Sequence, residues 1–377
     1  MFKSIDLRNF KCFSRLEQPI TFSKINLLTG SNGRGKSSVF QSILLLAQSY
    51  EPSKDFRNLR LSGRFLELGT YKDIVYKGDI SHSIEIILDT DDNENHQMKF
   101  ICKAGSADGY ETSVDNIYIG ETPLVSEAAI VSESSNANVS RASQRFFTPT
   151  STYECFSQLT NVFFIAADRL GPRNTVKMFE EQIGNQIGIH GEKVYNSLYE
   201  RAEDFQNDVA RELSLILGGA SVRLSRPDIE FIRVSLDSVD NSTGYKPVNV
   251  GFGYSYIMPL VVLPMVVPEG SKLFIENPEA HLHPGAQSRL MAFLLRKAEE
   301  KKLQLFIETH SDHVLDGVRV AVKQQLINCD DATIYFLERD ADEPSCVTQI
   351  TLDAEGDLSE WPEDFFDQTI KDAGALL

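Results

Sequence analysis

Gly30-Ser31-Asn32-Gly33-Arg34-Gly35-Lys36-Ser37 carries glycine, glycine, lysine and serine at every fixed position of a phosphate-binding loop. An apolar run, Ile25 to Leu28, broken by Asn26, leads into it, and a helix-like segment, Ser37 to Gln48, leads out. Strand, glycine-rich turn, Lys-Ser and helix is the order such a loop requires. Glycines let backbone N–H groups close around phosphates where a Cβ would obstruct them. The helix start adds orphan N–H donors and the positive end of a dipole. Lys36 is placed to reach the β- and γ-phosphates and Ser37 to ligate Mg²⁺. The expected nucleotide-binding set is therefore Gly30 to Ser38, with Ser31, Asn32, Gly33, Arg34, Gly35 and Ser38 supplying backbone. The plain alternative is a chance glycine-rich loop.

Composition narrows the partners. A formal net charge of −17 argues against broad non-specific nucleic-acid binding, which needs a cationic surface. Two local basic clusters stand out, Arg57/Arg60/Arg64 and Arg223/Arg226/Arg233; each reads as a nucleic-acid groove or as a solvated, ion-paired face. An acidic body also suits a basic protein partner. No run approaches the roughly twenty apolar residues of a membrane span, and the longest, Ile257 to Val267, is interrupted by Pro259 and Pro264. Met1 to Asp6 reads as a first strand and not as a signal peptide. The five scattered cysteines, without a C-x-x-C pair, read as thiols in a reducing cytoplasm.

Five segments are expected along the chain: an N-terminal part of an ATPase core (1–79), a β-rich inserted lobe with a flexible loop (80–160), a helical subdomain (161–249), a C-terminal core part (250–340) and a docking tail (341–377). Phe2–Phe10 and Ile20–Leu28 read as strands. Ser83–Leu88 and Met98–Cys102 are strand candidates around the turn-forming Asp89–Asn93. The Ser/Asn/Thr-rich stretch from Ser132 to Ser151 reads as a long loop. Val194, Leu198, Ala202 and Phe205 lie at helical spacing in one helix from Lys193 to Leu217, stopped by Gly218-Gly219. From Lys272 onward strands (Leu273–Glu276, Leu303–Glu308, Thr333–Phe336) alternate with helices, which implies a mostly parallel α/β sheet.

Three later stretches narrow the chemistry. Lys272 to Glu276 is a strand ending in an acid, at the edge where α/β sheets bind ligands; Glu276 is placed to hold Mg²⁺ opposite Ser37, and Glu279 to orient an attacking water. Leu305 to Glu308 runs into Thr309-His310, so His310 lies on the same edge, within reach of a γ-phosphate. Val250-Gly251-Phe252-Gly253-Tyr254-Ser255-Tyr256 offers small residues and a serine at a helix start, a second anion cap. His281-x-His283 and His310-Ser311-Asp312-His313 also mimic metal ligands. Arg169 and Arg173 read as phosphate or partner contacts or as structural ion pairs.

These residues carry a resemblance. The chain resembles ABC-type ATPase heads of the SMC, RecF and OLD group, and more narrowly AAA-annotated prokaryotic ATPases with a C-terminal domain of unknown function. The likeness runs nearly end to end, through Arg8-Asn9-Phe10-Lys11, the phosphate loop, Leu68-Gly69-x-x-x-Asp73, Asp168-Arg169-x-Gly171-Pro172-Arg173, Gly251-x-Gly253-x-Ser255, Glu276-Asn277-Pro278-Glu279-x-His281-Leu282-His283-Pro284, Thr309-His310-Ser311 and Gly356-x-x-x-x-Trp361-Pro362-x-x-Phe365-Phe366-Asp367. It implies an α/β ABC-type head with a mixed, mostly parallel sheet, an inserted β-rich lobe and a helical subdomain. It also implies two protomers face to face with ATP and Mg²⁺ between them, Gly253 and Ser255 of one capping the γ-phosphate held by Lys36 of the other. His310 matches the switch histidine, and His283-Pro284 lies where a loop crosses the dimer seam.

Three departures bear on turnover. Asn277 stands where such heads carry a glutamate base, and an amide cannot accept that proton. Tyr256 stands where many relatives carry glutamine, and no glutamine-bearing Q-loop is evident. About 64 residues follow His313, too few for an added nuclease domain. The expectation is a cytoplasmic ATPase, dimeric or in a higher assembly, that acts as a sensor or switch for a separate nuclease or toxin in bacterial anti-phage defence. The alternative is a DNA-repair or recombination ATPase that binds DNA itself. A transporter subunit and a small-molecule kinase fit the later motifs poorly.

Overall fold

A computed structural model describes residues 1–50, 58–91, 97–106, 108–123, 154–179, 184–237, 244–338 and 346–376. The expected 132–151 loop lies outside the described residues. The chain divides into two compact units: Met1–Phe22, Asn32–Val162 and Leu337–Val347 form the first, and Ser23–Ser31, Phe163–Phe336 and Thr348–Leu377 the second.

The first unit is built on one seven-stranded sheet. Phe2–Phe10 pairs antiparallel with Phe13–Arg15, Ile20–Thr21 and Ile84–Thr90, and the sheet continues through Gln97–Ala104, Thr112–Ile119 and Thr122–Pro123. Strict alternation buries Ile84, Ile86 and Leu88 on one face. Ile5 sits opposite Leu88 and Leu7 opposite Ile86. The strands of the expected inserted β-rich lobe extend the first strand's own sheet, their apolar face matching its register. The helix Lys36–Ser49 buries Val39, Phe40, Ile43, Leu44, Leu45 and Leu46, so it is an interior helix with no solvent stripe. Its buried Gln48 accepts the N–H groups of Phe65 (3.2 Å) and Leu66 (3.0 Å) and donates to Arg60 O. The Leu68-Gly69-x-x-x-Asp73 segment is a capping box: Asp73 accepts from Thr70 N–H and Thr70 Oγ1, both at 2.7 Å, at the start of Tyr71–Ile74.

In the second unit a six-stranded sheet runs in the order Cys346–Thr351, Ala332–Glu338, Ile25–Gly30, Gln304–Glu308, Lys272–Glu276, Val162–Ile165. Ile25–Gly30, Gln304–Glu308 and Lys272–Glu276 are parallel, with Glu276 level with Glu308 and Glu308 level with Leu28. Near-continuous apolar sequence is what a sheet covered on both faces requires, and Phe274 stacks on Phe306 at 4.4 Å. Asn26, which interrupts the apolar run, is fully buried and satisfied: it bonds Ser23 N–H (2.9 Å), Ser23 O (2.8 Å), Leu305 O (3.0 Å) and the Tyr335 hydroxyl (3.1 Å).

Several expectations are corrected. The single strand expected over Ile20–Leu28 is two, Ile20–Thr21 in the first sheet and Ile25–Gly30 in the second. The helix expected over 193–217 breaks into Val194–Tyr199 and Glu203–Leu217, with Ala202 exposed at the break; Gly218 does end it, in a left-handed C-cap. The segment expected as helical also contains a three-stranded antiparallel sheet, Thr175–Lys177, Phe231–Asp237 and Ser221–Ser225. The tail docks through a loop residue: Phe365, 1% exposed, lies edge-on to Phe336 at 5.3 Å, whereas Lys371 to Leu376 of the terminal helix is exposed.

Candidate nucleotide site

Of the phosphate-loop motif, Gly30 ends the strand Ile25–Gly30 and belongs with Ser31 to the second unit, and Asn32 onward belongs to the first. In the first unit Gly35 has φ +108°, and a Cβ there would lie 2.7 Å from Cys12 Sγ and 2.8 Å from the Phe13 ring. Glycine is thus required twice, by conformation and by space. Gly33 (φ +75°) needs it for conformation alone. Lys36 opens the helix and is buried, with 4% exposure.

In the second unit the parallel register brings the C-terminal ends of Ile25–Gly30, Gln304–Glu308 and Lys272–Glu276 to one edge. Glu276 Oε2 accepts the Ala167 N–H at 3.1 Å. Burial, then the neighbouring Glu308 carboxylate, drives its pKa up to about 7. Glu279 is fastened at the same edge: Oε2 accepts the Thr309 hydroxyl (2.8 Å) and Oε1 the His310 N–H (2.9 Å). Two bonds leave lone-pair sites on that carboxylate for a further donor. The imidazole of His310 is exposed, while Thr309 beneath it is fully buried. Ser311 donates to Gln287 Oε1 at 2.6 Å, which ties this edge to the helix Pro284–Lys301.

Arg169 organises the turn after Glu276. Buried at 3% exposure, it donates to the carbonyls of Ala166 (3.2 Å), Glu276 (2.8 Å) and Asn277 (2.7 Å), and its guanidinium lies 5.5 Å from the Tyr256 ring. Burial lowers its pKa to about 10, opposed by Glu279 and Tyr256, so it stays a cation at neutral pH. It binds carbonyls where the sequence offered phosphate, partner or ion pair; Arg173 is exposed. Asn277 has φ +43° and donates its N–H to Glu308 O at 2.8 Å. Asparagine tolerates the left-handed region better than glutamate does, which gives this substitution a backbone reason.

The Gly253–Tyr256 turn departs from expectation. Ser255 is 5% exposed, and its Oγ is enclosed without a well-formed hydrogen bond; the Tyr195 phenol, its pKa pushed up to about 12 by burial and partly offset by Ser255, is the polar neighbour. The exposed groups of the segment are Gly251 and Phe252. In this conformation the Ser255 hydroxyl is therefore not presented as a surface cap. A Cβ on Gly253 would meet His281 O at 2.6 Å, so this glycine permits a close backbone approach. His281 (φ +63°) packs edge-on against Tyr256 at 4.4 Å, and His283 Nδ1 accepts the Gly285 N–H at 3.3 Å as an N-cap. Sequence reasoning missed Gln287 and the carbonyl-binding role of Arg169; the Arg-x-Gly-Pro spacing was the available signal for the second.

The α/β sheet whose edge gathers carboxylates beside a glycine-rich strand end has a fold similar to that of Smc heads. Solved structures bear this fold out: an Smc head bound to the C-terminal winged-helix domain of ScpA matches with TM-score 0.55 and 14% identity over 93% of this chain and 98% of that one. An Smc head from Pyrococcus furiosus, with an extended coiled coil and bound to the C-terminal domain of ScpA, matches with TM-score 0.52 and 11% identity over 100% and 99%. The chain belongs to the family described as "AAA domain, putative AbiEii toxin, Type IV TA system", whose model matches residues 25–316. Residues 327–376 match a second model, "Protein of unknown function (DUF3696)". The DNA replication and repair protein RecF of Clostridioides difficile (strain 630) is 35% identical over 69 residues, a match spanning 18% of this chain and 18% of that protein.

Proposed function

We propose that this protein is an ATP-binding and ATP-hydrolysing switch that closes as a homodimer and thereby controls a separate effector, a nuclease or toxin, in bacterial anti-phage defence. The observation that carries the reading is the gathering of Gly30, Glu276, Glu279 and Thr309-His310 at one edge of the parallel sheet, where the strand runs on into the phosphate loop. Gly30 to Ser38 cradles the phosphates, with Lys36 neutralising charge. The donor set for Mg²⁺ is hard oxygen, the Ser37 hydroxyl and the Glu276 carboxylate, which suits that ion. A carboxyl whose pKa is raised first by burial and then by an adjacent acid is the kind of group a divalent cation relieves. When bound, the ion neutralises charge developing on the β- and γ-phosphates. Glu279 orients water, His310 senses the γ-phosphate, and Arg169 fixes the turn that carries Glu276. The backbone around Gly251 and Gly253 supplies the cap from the second protomer. The toxin–antitoxin wording of the family description supports a defence setting.

The test is light scattering with and without ATP and Mg²⁺, joined to phosphate release. Wild type should dimerise with ATP, Lys36→Ala should neither bind nor dimerise, and Glu279→Gln should hold the dimer and stop turnover. Normal hydrolysis by Glu279→Gln with none by Glu276→Gln would reverse the two roles, and a nucleotide-indifferent monomer would refute the switch. The second reading, a DNA-repair ATPase, is favoured by the RecF match alone; it predicts hydrolysis stimulated by DNA.

A further inference from the structure

The small antiparallel sheet of the second unit has one face that the nucleotide switch does not use. Its inner face is apolar: Val176, Val222, Ile232, Val234 and Leu236 join the core. Its outer face follows from the register. Lys177 lies opposite Phe231, Arg233 lies between Thr175 and Ser225, and Arg223 lies opposite Ser235. Residues paired across a ladder share a face, so cations alternate with small hydroxyls around a single aromatic ring. Lys177, Arg223, Arg233, Thr175 and Ser225 are exposed, and Phe231 is 37% exposed.

The charges on this face are largely uncommitted. Asp237 is the acid of the face and pairs with Arg223 at 2.8 Å. Neither Lys177 nor Arg233 has an ion-pair partner among the described residues. In the adjoining turn Asp228 accepts the N–H groups of Glu230 and Phe231, both at 2.9 Å, and Arg226 binds the carbonyls of Asp228 and Ile229, so that turn sets two exposed acids, Asp228 and Glu230, against one cation. A protein of net charge −17 thus concentrates cations, hydroxyls and an aromatic on one solvent-facing sheet. Arginine, lysine and hydroxyl side chains are the groups that bind phosphodiesters, and an aromatic on a sheet surface stacks on any base.

We propose that the outer face of the Thr175–Lys177, Phe231–Asp237 and Ser221–Ser225 sheet binds a single-stranded nucleic acid, with Lys177, Arg223 and Arg233 on phosphates and Phe231 stacking on a base. The acidic remainder of the surface repels a polyanion and confines it to this face. Three phosphate contacts to a single strand give a slope of log K against log salt of about −2.

The probe is a fluorescently labelled oligonucleotide of mixed sequence, titrated by anisotropy from low to moderate salt. Wild type should bind with that slope. Lys177→Glu/Arg233→Glu should weaken binding at least tenfold at low salt and bring the slope to about −0.7. Phe231→Ala should weaken it roughly tenfold. Ser225→Glu, which keeps both cations, provides a second variant should the double one misfold, as read by circular dichroism; it too should weaken binding. ATP affinity should be the same in all of them. No binding by wild type, or binding that these variants leave unchanged, overturns the proposal. So does equal displacement of the oligonucleotide by a polyglutamate peptide, which would mark the face as a site for an acidic protein.

Discussion

Replacing Glu276 by glutamine should stabilise the nucleotide-free protein at alkaline pH and do much less in acid. The Glu276 carboxyl stands at about 7 against an ordinary 4.5, pushed up by burial first and by Glu308 second, and held back by the Ala167 N–H and by Arg169. A carboxyl that binds its proton more tightly when folded lets the unfolded chain ionise first. Stability is therefore lost as pH rises from about 4.5 to about 7 and stays lost above. The shift corresponds to about 3 kcal/mol at pH 8 and about 1 kcal/mol at pH 5. Glutamine is neutral and retains an oxygen for the Ala167 N–H. For 377 residues melting together, that difference amounts to a Tm gain on the order of 4 °C at pH 8 and about 1 °C at pH 5. Scanning calorimetry of both proteins in EDTA, without nucleotide, measures it. A gain of equal size at both pH values, or a lower Tm for Glu276→Gln at pH 8, would refute the electrostatic argument.

Further substitutions probe the elements around that carboxyl and the phosphate loop. Gly35→Ala should lose ATP affinity at least tenfold in a fluorescent-nucleotide titration and lower stability by roughly 1–3 kcal/mol, since its methyl meets Cys12 and Phe13; Gly33→Ala, with open space around it, should cost less on both counts. Arg169→Ala leaves three carbonyls without their donor and should cost roughly 3 kcal/mol or more in a denaturant titration. Arg169→Lys should recover the charge without the fork, so stability should return only in part.

The features legible in the sequence were those with one physical solution. A glycine-rich turn before Lys-Ser, or an apolar strand ending in an acid, leaves the chain little choice, and the parallel sheet around Ile25–Gly30 follows from them. What escaped was decided by pairing between distant segments. Ile84–Thr90 shows perfect alternation, but nothing local says that, besides its sequence neighbour Gln97–Ala104, it pairs with the distant Phe2–Phe10. The strands at 175–177, 221–225 and 231–237 are short, and their apolar residues were absorbed into a helical reading of the region. The break after Tyr199 was hidden because Val194, Leu198 and Ala202 keep helical spacing across it.

At the site, residue types were legible and their orientation was not. Asn277 was read from its side chain as a missing base. Its left-handed backbone and its two main-chain bonds, to Glu308 O and from Arg169, show that the position is also under a conformational demand that asparagine meets. Arg169 was read as a charge looking for a charge, yet it binds three carbonyls and so holds the turn on which Glu276 rides. Glu279, expected to orient a water, has both oxygens engaged by Thr309 and His310. That bond pair joins the carboxylate to the segment carrying the exposed histidine. A displacement of His310 by nucleotide would therefore pull directly on Glu279, and through the Ser311–Gln287 bond on the helix that begins at Pro284. The network gives the edge a physical route from phosphate to helix, and Thr309→Val, which removes one bond while keeping the shape, is the substitution that should loosen it.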